Sequence, residues 1–280
     1  MNNISYINEK WLEELLVHPI TKTRLNVQNL KKHNNIFDAT VFLPNTFGWK
    51  EWKTGQKKFE SWLLNGEYKC DHEKNFVKEK KEISKVYKNF NLSGTILDVG
   101  GSVGTLREFI NPGSRFVSID PHSNPLSTLS KEKIKVYKCL KEPLNFIRAC
   151  AEFLPIKTES IDIVHMRSML DHVQVPDLAI IEAFRVLKIS GKLIIGIYLP
   201  KGKKDRLSTS FVLKEFIRHI LSLFRFDKYK DYHTWHPSYQ SLKKLIIDNG
   251  FRIDKEIWQS EWNDKVVYIQ AKKNFLCYKV

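Results

Sequence analysis

The chain has 280 residues, of which 42% are hydrophobic, and its formal net charge is +15. This length and apolar content suit one large α/β domain, or a core domain with a smaller appendage. No run of the sequence approaches the roughly 18 apolar residues of a membrane span, and its polar start is unlike a signal peptide. We therefore expect a cytoplasmic protein with reduced cysteines.

The positive charge is compatible with a nucleic-acid partner or with a lysine-rich solvated surface. Basic residues are spread along the chain and form no arginine-rich block, which favours the solvated surface. A nucleic-acid partner stays an alternative that is not favoured.

The cysteines are scattered and form no CxxC pair. Cys70 and His72 lie two positions apart, but one such pair supplies too few ligands for zinc. The sequence therefore predicts no metal site.

Residues 1–84 are predicted to form a small N-terminal extension that could face the substrate. The stretch WLEELLVHP (Trp11 to Pro19) predicts a short amphipathic helix that Pro19 ends. The stretch DATVFLPN (Asp38 to Asn45) predicts a short strand followed by a turn.

Residues 85–280 alternate strand-like and helix-like patterns. A helix is expected over VGTLREFI, packed through Leu106, Phe109 and Ile110, and another from Pro176 to just before Gly191. The apolar residues of that second helix are Leu178, Ile181, Phe184 and Leu187. Strands are expected in TILDVG, RFVSID, NFIRACAEFLP, SIDIVHM and KLIIGIYL, and the tail SLKKLIIDNGFRIDKEIW with KVVYIQAKK predicts helix, strand, turn and strand. This alternation predicts a doubly wound, mostly parallel α/β sheet with its ligand at the carboxyl ends of the strands.

The loop after the first of these strands, Asp98 to Gly104, reads D-x-G-x-S-x-G. A dinucleotide turn would need G-x-G-x-x-G, with no acid ahead of the glycines. A carboxylate beside the loop suits a ligand with positive charge, and the glycines let the backbone approach it. S-adenosylmethionine, which carries a sulfonium, an ammonium and a carboxylate, fits this pattern; a purely structural strand–helix turn is the alternative.

A second acid, Asp120, ends the next predicted strand. An acid about 20 residues after a glycine loop is placed to bind the two hydroxyls of a ribose. An exposed loop aspartate before Pro121 is the alternative for this residue taken alone.

The segments ILDVGGSVGTL, VSIDP, CAEFLPIKTESIDIVHMRSMLDHV and IIEAFRVLKISGKLIIGIY occur in the order of the class I S-adenosylmethionine-dependent methyltransferases. The chain resembles this family closely over residues 85–200 and more loosely over 238–273. The resemblance implies a seven-stranded Rossmann-like sheet and S-adenosylmethionine as cofactor. It also implies these cofactor-binding residues: Asp98, Gly100, Gly101 and Gly104 at the methionine part, Asp120 and Pro121 at the ribose, Ala151 and Glu152 at the adenine, and Met166 at the end of the fourth strand.

Two parts of the sequence depart from the family pattern. Ser102 stands where the family usually has glycine, and a serine fits there if its φ is negative. The leader LLVHPITKTRL … DATVFLP resembles zinc-ribbon-like segments that precede some bacterial methyltransferases. His18 and Ile20 replace the typical start of that segment, which implies that the metal has been lost.

Three histidines are candidates for the catalytic base. His172 lies in LDHV, where the family often has histidine, and packing is the alternative role. His233 and His236 lie in DYHTWHPSY (Asp231 to Tyr239), among aromatic residues that could wall an organic substrate. A neutral histidine could take a proton from a hydroxyl or amine near pH 7, whereas a loop that merely caps the core is the other interpretation.

A substrate-binding insertion is predicted at about 201–237. Its apolar segment Ser210 to Phe226 could be a packing helix, a lid, or a basic amphipathic segment in peripheral contact with a membrane. We expect a methyltransferase acting on oxygen or nitrogen of a small molecule, a sugar or a lipid-linked glycan precursor. An RNA methyltransferase and a non-catalytic protein with the same fold are the alternatives, and the sequence does not predict the oligomeric state.

Overall fold

A computed structural model describes residues 5–7, 9–25, 32–33, 36–44, 48–64, 72–205, 216–217 and 231–274. Ten strands form one sheet. They are β1 Tyr6–Ile7, β2 Lys32–His33, β3 Ile36–Asp38, β4 Thr95–Val99, β5 Arg115–Asp120, β6 Leu144–Arg148, β7 Ile161–Arg167, β8 Leu187–Tyr198, β9 Phe251–Gln259 and β10 Val266–Lys273. The α-helices are α1 Lys10–Glu13, α2 Trp49–Leu64, α3 Glu73–Tyr87, α4 Lys131–Val136, α5 Pro176–Val186 and α6 Tyr239–Asp248.

The sheet has the order β2-β3-β6-β5-β4-β7-β8-β10-β9, and β1 also pairs with β6. Strands β4 to β8 are parallel, whereas β10 runs antiparallel to both β8 and β9. The predicted α/β class with a mostly parallel sheet is confirmed. Seven strands, β4 to β10, correspond to the predicted sheet, and three short strands from the N-terminal part extend it beyond β6.

Parallel strands place their carboxyl ends at one edge of the sheet, where ligands of such folds bind. The central strands are buried on both faces, as their unbroken apolar runs predict. Asp98, Asp120 and Arg167 all lie at or next to strand ends on this edge.

Several predicted elements differ from the structure. The N-terminal helix stops at Glu13, because Leu16 and Val17 instead form β-bridges to Ile156 and Arg24. The strand expected over DATVFLPN lies earlier, at Ile36–Asp38, and ends where Asp38 accepts hydrogen bonds from the N–H and hydroxyl of Thr40.

Two helix predictions also need correction. Over VGTLREFI only a 3₁₀ turn, Thr105–Glu108, forms, although Leu106 is buried as expected. Helix α5 begins at Pro176 as predicted, but its buried face is one position away from the expected stripe. That face consists of Ala179, Ile180, Ala183 and Val186, whereas Ile181 is 47% exposed.

The segment that resembles a zinc ribbon folds as a tight turn. The His18 N–H donates to the Thr23 carbonyl at 2.8 Å, and His18 Nδ1 accepts the N–H groups of Ile20 and Thr21. The His18 ring is thus used to hold the turn. The likeness to a metal-free leader stays a prediction.

Two N-terminal helices reach the ligand-binding edge. Helix α3 crosses the predicted domain boundary at residue 84, and its last turn places Ile83 and Tyr87 in the core. A Cβ on Gly55 of α2 would lie 3.0 Å from Tyr232 Cβ, so α2 packs directly on the loop before α6. The segment 210–226 lies outside the described residues except at 216–217.

Candidate active site

Asp98 is held in place by a buried chain of hydrogen bonds. Its Oδ1 is 2.7 Å from His165 Nδ1, and His165 Nε2 is 2.8 Å from the Tyr87 hydroxyl. Asp98 and His165 are 4% and 2% exposed. A carboxylate can only accept, so His165 donates from Nδ1 and accepts the Tyr87 proton at Nε2. Burial raises the pKa of Tyr87 well above its usual range, which keeps this hydroxyl a donor.

The loop after β4 folds back against Asp98, and glycine makes this approach feasible. A Cβ on Gly101 would lie 2.5 Å from the Asp98 carboxylate and 2.7 Å from Ser118 Oγ. Gly100 has φ +71°, and a Cβ there would lie 2.5 Å from Met169 Cβ. Gly104 adopts φ +74° where the 3₁₀ turn begins. The loop therefore presents bare backbone beside a buried carboxylate.

Ser102 does not have the negative φ that would suit a serine. Its φ is +45°, in the left-handed region, which costs a non-glycine residue about 1 kcal/mol. Its carbonyl accepts the Ser118 hydroxyl at 3.0 Å, which helps to fix this conformation. Ser102 stands where the family usually has glycine, and its backbone adopts a conformation that glycine prefers.

Asp120 ends β5 at the same edge of the sheet. Its Oδ1 accepts the His122 N–H at 2.9 Å. Burial raises the pKa of Asp120 to about 6, although the His122 and Ser102 N–H groups lower it and Asp98 raises it further. The neighbouring Pro121 uses its carbonyl to accept Arg148 Nε at 3.0 Å.

A cavity opens between this loop and α3. Arg167 joins the polar groups of the cavity and donates to the Tyr268 hydroxyl and to Glu79. The other polar and apolar groups that line it include Asp98, Gly100, Gly101, Thr105, Tyr87, Phe109 and His165. A buried carboxylate, close backbone and aromatic walls fit a ligand with a cationic centre and an organic body.

Ala151 and Glu152, which are predicted to flank the adenine, do not line this cavity. Ala151 is buried in the 3₁₀ turn after β6. Glu152 is buried too, and its Oε1 accepts the Gln174 and Val175 N–H groups at 2.6 and 3.2 Å. The Glu152 side chain thus holds a loop through Oε1, and its contact with adenine stays a prediction.

Cys150, just before this pair, is a buried thiol. Burial and the nearby Glu152 raise the pKa of its thiol, and Asp120 adds to the shift. Met166 is fully buried in the core, so its side chain does not line the cavity; Arg167, the next residue, does.

Sequence reasoning missed Tyr87, His165 and Arg167. His165 and Arg167 could have been found, because they lie in an otherwise apolar strand and polar residues in a buried strand need partners. Tyr87 gave no such signal, since it belongs to a helix on the predicted domain boundary.

A second cavity adjoins the first and shares Ile83 and Arg167 with it. It lies between α3, the ends of β7 and β8, and the β9–β10 connection. Its lining includes Glu79, Glu82, Tyr198, Gln259, Trp262 and Tyr268.

The predicted catalytic histidines meet in a cluster next to the glycine loop after β4. Met169, which packs on Gly100, receives the His172 N–H on its carbonyl at 2.9 Å. The loop of residues 231–237 is fastened to the same segment, because the Thr234 N–H donates to the Asp171 carbonyl at 2.9 Å. Two loops far apart in sequence are thereby brought together.

We call Asp171, His172, Asp231, His233 and His236 the histidine–aspartate cluster. His233 Nδ1 lies 2.6 Å from Asp231 Oδ1, and His236 Nε2 lies 3.0 Å from Asp231 Oδ2. The His172 and His233 rings have centroids 4.4 Å apart. Burial lowers the pKa of His172, which favours its neutral form. His233 and His236 are 42% and 58% exposed, so neither points into the core.

Helix α2 and the segment before it approach this cluster from the N-terminal side. The Leu43 N–H donates to Gln174 Oε1 at 3.2 Å, beside the cluster. Phe42, Trp49 and Trp52 form an aromatic group, with the Trp49 and Trp52 rings stacked at 5.4 Å. The N-terminal part therefore adds aromatic surface at the ligand-binding edge.

Comparison with known proteins agrees with this architecture. Residues 97–195 match the family described as methyltransferase domain. The ubiquinone/menaquinone biosynthesis C-methyltransferase UbiE of Shewanella piezotolerans is 26% identical over 186 residues, which cover 60% of this chain and 73% of that protein.

Two solved structures share the fold. One is the Burkholderia thailandensis 1,6-didemethyltoxoflavin-N1-methyltransferase with bound 1,6-didemethyltoxoflavin and S-adenosylhomocysteine, at 12% identity and TM-score 0.53, covering 84% of this chain and 94% of that one. The other is a complex of the Haloferax volcanii Trm112 methyltransferase activator with a methyltransferase, at 14% identity and TM-score 0.52, covering 77% and 97%.

The sheet, the glycine loop and the two strand-end acids define a Rossmann-like methyltransferase. Residues 97–195 match a methyltransferase domain, and the relatives named above are methyltransferases; together they support a class I methyltransferase enzyme with S-adenosylmethionine as its cofactor. Within the described residues, no helix is both long and apolar enough to cross a membrane.

Proposed function

We propose that this methyltransferase acts on an oxygen or nitrogen atom of a small molecule, a sugar or a lipid-linked glycan precursor. The observation that carries the proposal is the contact of Met169 with Gly100, because it brings the histidine–aspartate cluster beside the cofactor loop. A hydroxyl or amine carries a proton that must leave during methylation, and this cluster supplies groups that can receive it.

Of the proposed cofactor residues, Asp98, Gly100 and Gly101 line the first cavity, whereas the others rest on the family resemblance. Asp98, with the bare backbone of Gly100 and Gly101, would hold the methionine part, and Gly104 would shape the turn. Asp120, with Pro121 behind it, would hold the ribose hydroxyls, and the buried Ala151 would flank the adenine. S-adenosylmethionine supplies an electrophilic methyl group when bound; the chain contributes alignment and exclusion of water.

His172, His233 and His236 are the proposed catalytic residues. Asp231 contacts one nitrogen of His233 and one of His236, which orients both rings. An oriented imidazole loses little freedom when it takes a proton, so this arrangement suits acceptor activation.

The acceptor would lie under α2, among aromatic side chains. Tyr232 packs against Gly55, and the Phe42, Trp49 and Trp52 group extends this apolar wall. We propose on this basis that the N-terminal extension and the insertion at about 201–237 together form the acceptor site. Flat rings and the apolar faces of sugars both pack well on such surfaces.

The test has two stages with the full-length protein. Calorimetry should first show binding of S-adenosylmethionine that Asp98→Ala weakens strongly. Methyl transfer from labelled cofactor should then be assayed with nucleotide sugars and other small metabolites, with total tRNA and rRNA, and with quinol-like rings. Label on an oxygen or nitrogen of a small acceptor supports the proposal. Label on RNA, label on carbon, or no transfer with any pool despite tight cofactor binding would overturn it.

A further inference from the structure

We infer that Asp171, His172 and His233 form a binding site for one divalent transition metal ion, with zinc as the expected ion. Their ligand atoms all lie within 4.8 Å of one another. Metal binding itself does not depend on the proposed function, but the role of the ion in holding an acceptor does.

The spacing of the Asp171 and His233 atoms suits a shared cation better than a hydrogen bond. Asp171 Oδ2 and His233 Nε2 are 3.7 Å apart, which is too long for a hydrogen bond. Two ligand atoms each about 2.1 Å from a tetrahedral zinc ion lie roughly 3.4 Å from each other. A small movement of either side chain would close the site around an ion.

Asp171 also carries an oxygen that needs a partner. Its Oδ1 is buried, and no hydrogen-bond partner for it occurs in the part of the chain that the structure describes. A carboxylate oxygen buried in this way is costly, and a cation beside it offsets the cost. The Asp171 backbone is fixed meanwhile, because its carbonyl accepts from Thr234 and Trp235.

Asp231 supplies the outer support that metal-binding histidines commonly have. Its Oδ1 lies 2.6 Å from His233 Nδ1, which leaves His233 Nε2 directed to Asp171. A carboxylate that accepts the other ring N–H fixes the tautomer and orientation of a ligating histidine. His236 stays outside the three-ligand site, on the second oxygen of Asp231.

The ligand set indicates the kind of ion. Two imidazoles and one carboxylate, with a position left open, are typical of zinc sites that bind a water or substrate oxygen. Methyl transfer changes no oxidation state of a metal, so an ion without redox chemistry suffices. With His172 and His233 as ligands, their metal-bound nitrogens cannot accept a proton, so His236 would be the histidine of the cluster that receives it. An acceptor hydroxyl at the open position would be held near the glycine loop and would lose its proton more readily.

The test is a calorimetric titration of the chelator-treated full-length protein with Zn²⁺, with Fe²⁺ under anaerobic conditions as a second arm. We expect one zinc ion per chain. Asp171→Asn and His233→Ala should abolish this binding. Asp231→Asn should weaken it about 10–100-fold, as loss of an outer partner does. His72→Gln, which removes an exposed histidine elsewhere, is the matched control and should leave it unchanged.

Each other result contradicts the inference. Zinc binding that survives both Asp171→Asn and His233→Ala, or that disappears in His72→Gln, places the ion elsewhere. No binding of zinc to the unaltered protein, or binding of iron alone, overturns the expected site. Titration of every variant with S-adenosylmethionine separates the two proposals, because intact cofactor binding shows that the variant is folded whatever the zinc result.

Discussion

The cofactor side and the acceptor side of the cleft are built in different ways. Asp98 and Asp120 stand at the ends of adjacent parallel strands, paired along Ile96↔Phe116 and Leu97↔Val117. The histidine–aspartate cluster instead joins two loops, which Thr234 holds together, and α2 packs on the neighbouring Tyr232. The fold fixes the first side, whereas contacts particular to this chain fix the second. Cofactor use is therefore a property of the class, and acceptor choice a property of this protein.

The largest effect that separates the two sides is expected from His233→Asn. It removes an oriented imidazole from the acceptor side, so kcat should fall about 100-fold or more. The dissociation constant for S-adenosylmethionine should stay within about twofold, because the cofactor loop is untouched. Steady-state assays with the identified acceptor and calorimetry measure the two quantities. A loss of cofactor affinity equal to the loss of rate would contradict the separation.

Gly101→Ala should have the opposite pattern. Its new Cβ would meet the buried Asp98 carboxylate at 2.5 Å. We expect about 100-fold weaker binding of S-adenosylmethionine, the upper end of the cost of overpacking. Gly113→Ala is the control: a Cβ there meets nothing within 4 Å, although φ is +80°. If both variants lose the same affinity, steric closeness to Asp98 is not the cause.

Asp120→Asn should weaken cofactor binding but stabilise the folded protein. Burial raises the pKa of the Asp120 carboxyl to about 6. The folded state therefore binds the proton of this carboxyl more tightly than the unfolded state does. The carboxylate therefore opposes folding increasingly between about pH 4 and pH 6, and fully above that range.

At pH 7.5 the substitution should raise the free energy of unfolding by about 1–2 kcal/mol, allowing for partial solvent screening. It should also weaken S-adenosylmethionine binding about tenfold. For the unaltered protein, calorimetry at several pH values should show cofactor affinity falling as the pH drops through about 6. Affinity that does not change from pH 7.5 to pH 5 would argue against a ribose contact.

The smallest effect is expected from Ser102→Gly. Relief of the left-handed φ of +45° should raise the free energy of unfolding by about 1 kcal/mol. Ser102→Ala keeps the unfavourable φ and should give no gain, which separates backbone relief from loss of the hydroxyl. Urea unfolding of the three proteins measures this difference, and equal stability of the glycine and alanine variants would refute the backbone explanation.

The sequence predicts the places of Asp98, the glycines and Asp120 in the fold, because these residues lie next to strands with strong apolar patterns. Asp98 and Asp120 lie at strand ends and the glycines in the loop after β4, as expected, and their binding of the cofactor stays a prediction. Glu152 and Met166 show the limit of this reasoning, since the structure uses one to hold a loop and buries the other. Their position along the chain was clear, but the direction of their side chains depends on packing that no local pattern encodes.

The acceptor side could be predicted only in part. His172, His233 and His236 were each recognised as candidates, but their convergence requires the contact between two loops distant in sequence. The sequence does not mark Asp171 and Asp231 as site residues, because exposed aspartates are common in loops. Helix α2 reaches the site from the N-terminal part through Gly55, a contact that the spacing of residues does not reveal.

The most direct test of the account is a crystal structure of the protein with S-adenosylhomocysteine. We expect the methionine part beside Asp98 and Gly101, the ribose on Asp120, and the sulfur facing the histidine–aspartate cluster. A sulfur that faces the second cavity, lined by Glu79, Glu82 and Trp262, would contradict the account, because the acceptor would then bind away from His233.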